Sequence, residues 1–180
     1  QKGIGRMFQD NHIFGEMSVL DNMLIANSLN SSENPVSALL FKKRLKRDEI
    51  KRTEKTSQVF DTLFGKGNPF WEKRSVPAGT LSYGQQRLLG LARLFMREYQ
   101  LLLLDEPSSG VNPEVIEQIK ILIRRFTEQN KTVLLIEHNL NVVQDIADFC
   151  CYMDQGRITL MGTPADVIGN EDVRKSYVGF

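Results

Sequence analysis

The sequence predicts an α/β fold with a parallel sheet at its core, and three observations carry that expectation. Residues 101–105, LLLLD, form an unbroken apolar run closed by a carboxylate, the pattern of a central strand buried on both faces. Just before it, at 81–95, LSYGQQRLLGLARLF has a polar, glycine-containing turn that opens an amphipathic helix. Beyond it, apolar strand patterns alternate with helical ones, as strands joined by crossover helices require.

Each element follows in order. IGRMFQ at 4–9 reads as a short strand leaving into a loop at Gln9-Asp10-Asn11. A helix is expected at about 18–29, capped by Ser18 with Asp21 three residues on, and with Val19, Met23 and Leu24 at helical spacing. NSSENPVS at 30–37 is a loop by composition. From Ala38 to Phe64 the pattern is helical around a mixed-charge centre, FKKRLKRDEIKRTEK. Residues 65–80, rich in Gly, Pro and Ser, read as a connecting loop in which Phe70 and Trp71 pack locally.

The remainder alternates. Gln85–Arg97 is an amphipathic helix that buries Leu88, Leu89, Ala92, Phe95 and Met96. After the strand at Leu101–Asp105, a helix runs from Pro113 to about Gln129. Asn112 is its cap, and Pro113 sits in the first turn, where a missing N–H does no harm. Thr132–Glu137 reads as the next buried strand, Leu140–Phe149 as a helix and Cys150–Met153 as a strand. Gln155-Gly156 is a turn, Arg157–Met161 a strand, and two short helices follow.

Composition narrows the class. With 180 residues, 41% hydrophobic and 25% charged, the chain matches one ordinary globular domain. A net charge of +1 gives no electrostatic reason to expect a nucleic-acid partner. No apolar run approaches the ~20 residues of a membrane-spanning helix, so membrane association is expected only through a partner protein. The two cysteines, Cys150 and Cys151, are adjacent and read as small core residues of a reduced protein. The basic cluster Lys42–Lys55 is interleaved with Asp48, Glu49 and Glu54 and reads as a solvated helix face.

The chemistry concentrates at two places. Asp105 and Glu106 are adjacent carboxylates at the C-terminal end of a parallel strand, where ligands bind in open α/β sheets. Pro107 is expected to hold Glu106 in an extended backbone. Ser82 with Gln85 forms a capping box, and the same helix start offers N–H groups and a positive dipole end to an anion. One element thus suits a phosphate, the other a metal ion and a base.

LSYGQQRLLGLAR and LLLLDEPSSGVNP, in this order and spacing, resemble the signature sequence and Walker B motif of ABC-type ATPases. The resemblance spans essentially the whole chain and implies a P-loop NTPase-like (RecA-like) parallel sheet core with an inserted α-helical subdomain. Residues 1–12 and 99–180 would form the core and 13–98 the helical subdomain. No segment fits the Walker A pattern G-x-x-x-x-G-K-[ST]; Phe64-Gly65-Lys66-Gly67 lacks both its Ser/Thr and its first glycine. The chain is therefore expected to be a portion of a longer ATPase, truncated at the N-terminus and inactive alone.

The resemblance also implies site roles. Asp105 belongs to the Mg²⁺ shell and Glu106 to the attacking water. Ser82, Gly84 and Gln85 contact the ATP bound by the opposite subunit, with Tyr83 standing where the commonest motif has glycine. His138 is the switch histidine that bonds the γ-phosphate. Gln9, in MFQDNHIFGEMSVLDNML, is the Q-loop residue that reaches Mg²⁺ or the water, whereas His12 is a surface loop residue. Ser109-Gly110-Val111-Asn112 is the D-loop, with Asn112 in place of the commoner aspartate.

GVNP, LLIEHN and the ending GTPADVIGNEDVRKSYVG look most like ATP-binding subunits of branched-chain amino-acid importers. The implied cofactors are ATP and Mg²⁺. The implied partners are a second ATPase subunit, identical or homologous, and integral membrane permease subunits. The implied location is cytoplasmic, peripheral on the inner face of the membrane. Alternatives are a lipopolysaccharide-export ATPase, a soluble non-transport ABC ATPase and a catalytically silent fragment.

Overall fold

Three strands in the order β1-β2-β3 carry the candidate site: β1 (Gly3–Met7), the central β2 (Tyr99–Asp105) and β3 (Thr132–Ile136). The computed structural model describes residues 3–9, 13–27 and 42–178. The predicted loop at 30–37, His12 and Asp10-Asn11 lie outside the described residues. By contacts the chain divides into two units, Gln1–Leu135 and Ile136–Phe180. The sequence-based boundary at residues 98 and 99 follows the family resemblance rather than this division.

In the first unit, β1 and β2 pair in parallel, with Gly5 opposite Leu102 and Met7 opposite Leu104. Met7, Leu102 and Leu104 are buried, and alternation puts Ile4 on the other face, where it is 62% exposed. Helix α1 (Val19–Asn27) starts as expected, with the Asp21 N–H donating to Ser18 Oγ across 3.0 Å. Helix α2 (Lys42–Phe64) ends in an aromatic cluster. The Phe60 ring centre lies 5.5 Å from those of both Phe64 and Phe70 and 5.2 Å from that of Trp71, so Phe70 and Trp71 pack locally. Lys51, Glu54 and Lys55 are exposed, in keeping with a solvated face over the part of that helix whose side chains are described.

Residues 65–80 depart from the expected loop. They contain helix α3 (Pro69–Glu72), capped by Asn68, and two 3-10 turns at Lys73–Ser75 and Ala78–Thr80. Their Gly and Pro content is compatible with single turns, because an Asn cap followed by Pro at the first position supplies the chemistry of a helix start. Helix α4 (Tyr83–Phe95) packs on β1, and α5 (Pro113–Thr127) packs on α4. Phe95 meets Phe126 edge-to-face at 5.2 Å, and the Val115 N–H donates to Asn112 Oδ1 across 2.9 Å.

β3 corrects a second expectation. Its apolar sequence predicts a buried strand, yet Leu134 and Ile136 are each 60% exposed. Val133 and Leu135, at the alternate positions, are half-buried, so the exposure is confined to one face of the strand.

The second unit is a hairpin with helices. Helix α6 (Leu140–Ile146) leads to β4 (Cys150–Asp154), which pairs with β5 (Arg157–Gly162) in antiparallel fashion. These two strands form their own sheet rather than extending the parallel one. Gln155 and Gly156, both at positive φ, make the turn between them. Helices α7 (Pro164–Gly169) and α8 (Glu171–Val178) follow. The Thr163 hydroxyl, and then its N–H, bond the Asp166 carboxylate and hold it below the usual carboxylate range. Cys150 joins Val167 and Val173 in the small core, but Cys151 is exposed. Adjacent strand residues point to opposite faces, so the two cysteines could not both be core.

Candidate functional site

β1 and β2 run parallel, so their C-terminal ends open on the same side of the first unit. Asp105 closes β2, Glu106 follows it, and Gln9 lies just beyond β1. The structure brings these ends together. Gln9 Nε2 donates to Glu106 Oε2 across 3.3 Å, joining residues 97 apart in sequence.

Glu106 does not take the extended backbone expected before a proline. Its φ is +43°, in the left-handed region that non-glycine residues rarely enter. Its carbonyl explains the departure, because it accepts from the Ser109 N–H at 3.1 Å and from Arg87 at 3.2 Å. Such a backbone costs about 1–3 kcal/mol and persists only where the surroundings fix it. Here the turn and the guanidinium fix it.

Arg87 is the residue the sequence reading missed. It lies on α4 and is 0% exposed. One end of its guanidinium donates to the Phe8 carbonyl at 3.3 Å and the other to the Glu106 carbonyl at 3.2 Å. Its charge also sits 5.6 Å from the centre of the Tyr83 ring. The signal available in the sequence was a charged residue three after Gly84 and four before Leu91, on a face that is otherwise small or apolar.

The start of α4 forms the capping box expected of it. Gln85 N–H donates to Ser82 Oγ, and Ser82 N–H donates to Gln85 Oε1, both at 3.3 Å. Lys73 Nζ also donates to Gln85 Oε1 at 3.3 Å. Gly84 has a packing reason to be glycine, since a Cβ there would lie 2.7 Å from Val115 Cγ2. Gly110, at φ +71°, turns the chain beneath the Tyr83 ring; a Cβ on it would lie 3.4 Å from Tyr83 Cε1.

A buried asparagine orders the segment after Gln9. Asn22 accepts from the Phe14 N–H and donates to the Phe14 carbonyl, both at 2.9 Å. The Ala78 N–H donates to the Met17 carbonyl at 2.8 Å and the Gly79 N–H to the Gly15 carbonyl at 2.9 Å. The chain that follows β1 is thereby laced to the chain that leads into α4.

His138 belongs to the second unit and is exposed. Its N–H donates to Glu137 Oε2 at 3.1 Å, and Asn139 Oδ1 caps α6. Among the described residues no group of three or more His, Cys, Asp or Glu is placed to hold a metal ion. Asp105 and the Gln9 side-chain oxygen are the donor types that fit Mg²⁺, which takes one or two carboxylates and completes its shell with water and substrate phosphate. No helix among the described residues is long and apolar enough to cross a membrane.

A family model described as ABC transporter matches residues 1–109. The high-affinity branched-chain amino acid transport ATP-binding protein BraF of Pseudomonas aeruginosa is 36% identical over 180 residues. That alignment covers 99% of this chain and 69% of BraF. LivG of Escherichia coli, named for the same transport, is 31% identical over 178 residues, covering 98% and 68%. Among solved structures, an ATP-binding cassette of an ABC transporter in its ADP conformation superposes with a TM-score of 0.73 at 26% identity. It covers 99% of this chain and 69% of that one. The chain belongs to the ABC transporter family, as an ATP-binding subunit with the P-loop NTPase fold.

Proposed function

We propose that the protein powers branched-chain amino-acid uptake by hydrolysing ATP at the mouth of β1 and β2. The observation that carries the reading is the Gln9–Glu106 contact of 3.3 Å beside Asp105. An amide and a carboxylate in contact beyond the strand ends support a role in holding a water against a phosphate. Glu106 orients and deprotonates that water. Asp105 and the Gln9 side-chain oxygen would hold Mg²⁺, which supplies charge neutralisation for the phosphates when bound.

Ser82, Gly84 and Gln85 serve the ATP of an opposing subunit. The capping box occupies the N–H groups of Ser82 and Gln85, so an arriving γ-phosphate would first meet those of Tyr83 and Gly84. His138, by contrast, would bond the γ-phosphate of the ATP held by its own subunit. The roles of Ser82, Gly84 and Gln85 require a dimer, either of this chain or with a homologous ATPase such as the partner type represented by BraG, 38% identical over 117 residues. Residues 13–98 act as a helical subdomain that faces integral permease subunits at the cytoplasmic side of the membrane. A polypeptide of residues 1–180 contains no Walker A loop and on its own would turn over ATP poorly.

The test is Glu106→Gln in the complete subunit. Turnover should fall by ~10²–10⁴, about 3–5 kcal/mol of barrier, while ATP binding persists. Near-normal turnover would remove Glu106 from the base role. Loss of the gene should abolish uptake of labelled leucine, isoleucine and valine; unchanged uptake would refute the substrate assignment.

A further inference from the structure

Arg87 is an expensive residue to bury. A guanidinium withdrawn from water must be repaid by hydrogen bonds, and its Nε has none. An apolar side chain would suit a helix face that also buries Leu88, Leu91 and Ala92. What Arg87 does make is specific. Its two terminal nitrogens reach the Phe8 carbonyl at the exit of β1 and the Glu106 carbonyl at the exit of β2. A guanidinium is planar and rigid, so bonding with both ends fixes the separation of its two acceptors.

Those acceptors belong to the backbone that carries the hydrolytic pair. Gln9 directly follows Phe8, and Glu106 owns the second carbonyl; their side chains meet at 3.3 Å. The left-handed φ of Glu106 is held partly by the same bond. Arg87 stands one helical turn from Tyr83 and Gly84, at the end of α4 that the signature sequence forms. One side chain thus links the signature helix to both sides of the hydrolytic site.

We propose that Arg87 is a positioning residue for hydrolysis: its fork, anchored in the signature helix, sets the spacing between Gln9 and Glu106. The inference rests on the hydrolytic reading of Glu106 given above. Lysine can substitute only in part, because a single ammonium carries the charge without the two-ended geometry.

The experiment compares Arg87→Met and Arg87→Lys in the complete subunit assembled with its transporter, each alone and combined with Glu106→Gln. Steady-state turnover, the KM for ATP and equilibrium nucleotide binding are measured for each. Arg87→Met should lower kcat by about tenfold to a hundredfold, as a small misplacement of reacting groups does, with KM within about threefold of wild type. Arg87→Lys should fall between Met and wild type. In the Glu106→Gln background, Arg87→Met should cost nothing further, because the group it positions is already gone.

Wild-type turnover in Arg87→Met would overturn the proposal. So would losses that multiply with Glu106→Gln, or a parallel loss of nucleotide binding, each of which marks a purely structural role. If Arg87→Met does not fold, Arg87→Lys decides: full kcat refutes, reduced kcat at unchanged KM supports. A Glu106→Gln protein with normal turnover would instead defeat the hydrolytic reading itself, whatever Arg87 does.

Discussion

Gln9 and Glu106 meet across 3.3 Å at the open end of the parallel sheet, each on the loop that leaves a neighbouring strand. A neutral amide donating to a carboxylate is a charge-assisted bond, here long and exposed to solvent. Gln9→Ala removes that donor and leaves the carboxylate in place. The expected result is a fall in turnover of about tenfold to a hundredfold, smaller than for Glu106→Gln, with ATP binding retained. Steady-state ATPase assays of the two variants check the order. A Gln9→Ala protein as impaired as Glu106→Gln would mean that Gln9 does more than orient its partner.

Gly84, proposed above to face the ATP of an opposing subunit, also has a packing reason to be glycine. An added Cβ would come within 2.7 Å of Val115 Cγ2 and 3.3 Å of Val115 Cγ1, and a β-branched side chain has little freedom to move aside. Gly84→Ala should therefore destabilise the protein by about 1–3 kcal/mol through overpacking of α4 on α5. Val115→Ala opens the space, so the double variant should recover most of the loss. Denaturant midpoints of the four proteins in this cycle measure the coupling. Additive losses would show that the clash is not what excludes a side chain.

What the sequence made legible was local. Four leucines before Asp105 predicted a central strand, and β2 lies between β1 and β3. Ser82 and Gln85 predicted a capping box, and both of its bonds are present. Asn112 before Pro113 predicted a helix start. Each depends on residues within one turn or one strand of each other. Arg87 escaped because its acceptors lie 79 and 19 residues away, and no periodicity encodes a side chain that reaches two loops. The backbone of Glu106 escaped for a related reason. Pro107 acts on it through local sterics, whereas the turn to Ser109 and the Arg87 bond set the conformation adopted. Leu134 and Ile136 are apolar enough for burial, but burial depends on what lies opposite, which a strand's own pattern does not contain.

The adjacent cysteines should differ in reactivity. Burial, and to a lesser degree the neighbouring Cys151, push the Cys150 thiol up, so less of it is thiolate at a given pH. Cys151 is exposed on the opposite face of β4. At pH 8 iodoacetamide should label Cys151 first and Cys150 at least about tenfold more slowly, since the thiolate is the reacting form. Peptide mass mapping over a time course distinguishes the two. Equal rates in the folded protein would show that the small core around Cys150 opens on the labelling timescale.

Asn112 separates the two demands on the loop after Glu106. Its Oδ1 accepts the Val115 N–H at 2.9 Å and satisfies a donor that α5 would otherwise leave open. Asn112→Ala should cost about 1 kcal/mol of stability, the usual loss for an N-cap. Asn112→Asp keeps the acceptor and adds a negative charge at the positive end of the helix, so its stability should equal or slightly exceed wild type. Urea midpoints of the two variants test this. If Asn112→Asp is as unstable as Asn112→Ala, the cap is not the reason for the residue. Turnover measured beside stability then isolates any role in catalysis, because a cap that is only structural leaves kcat unchanged in the folded Asp variant.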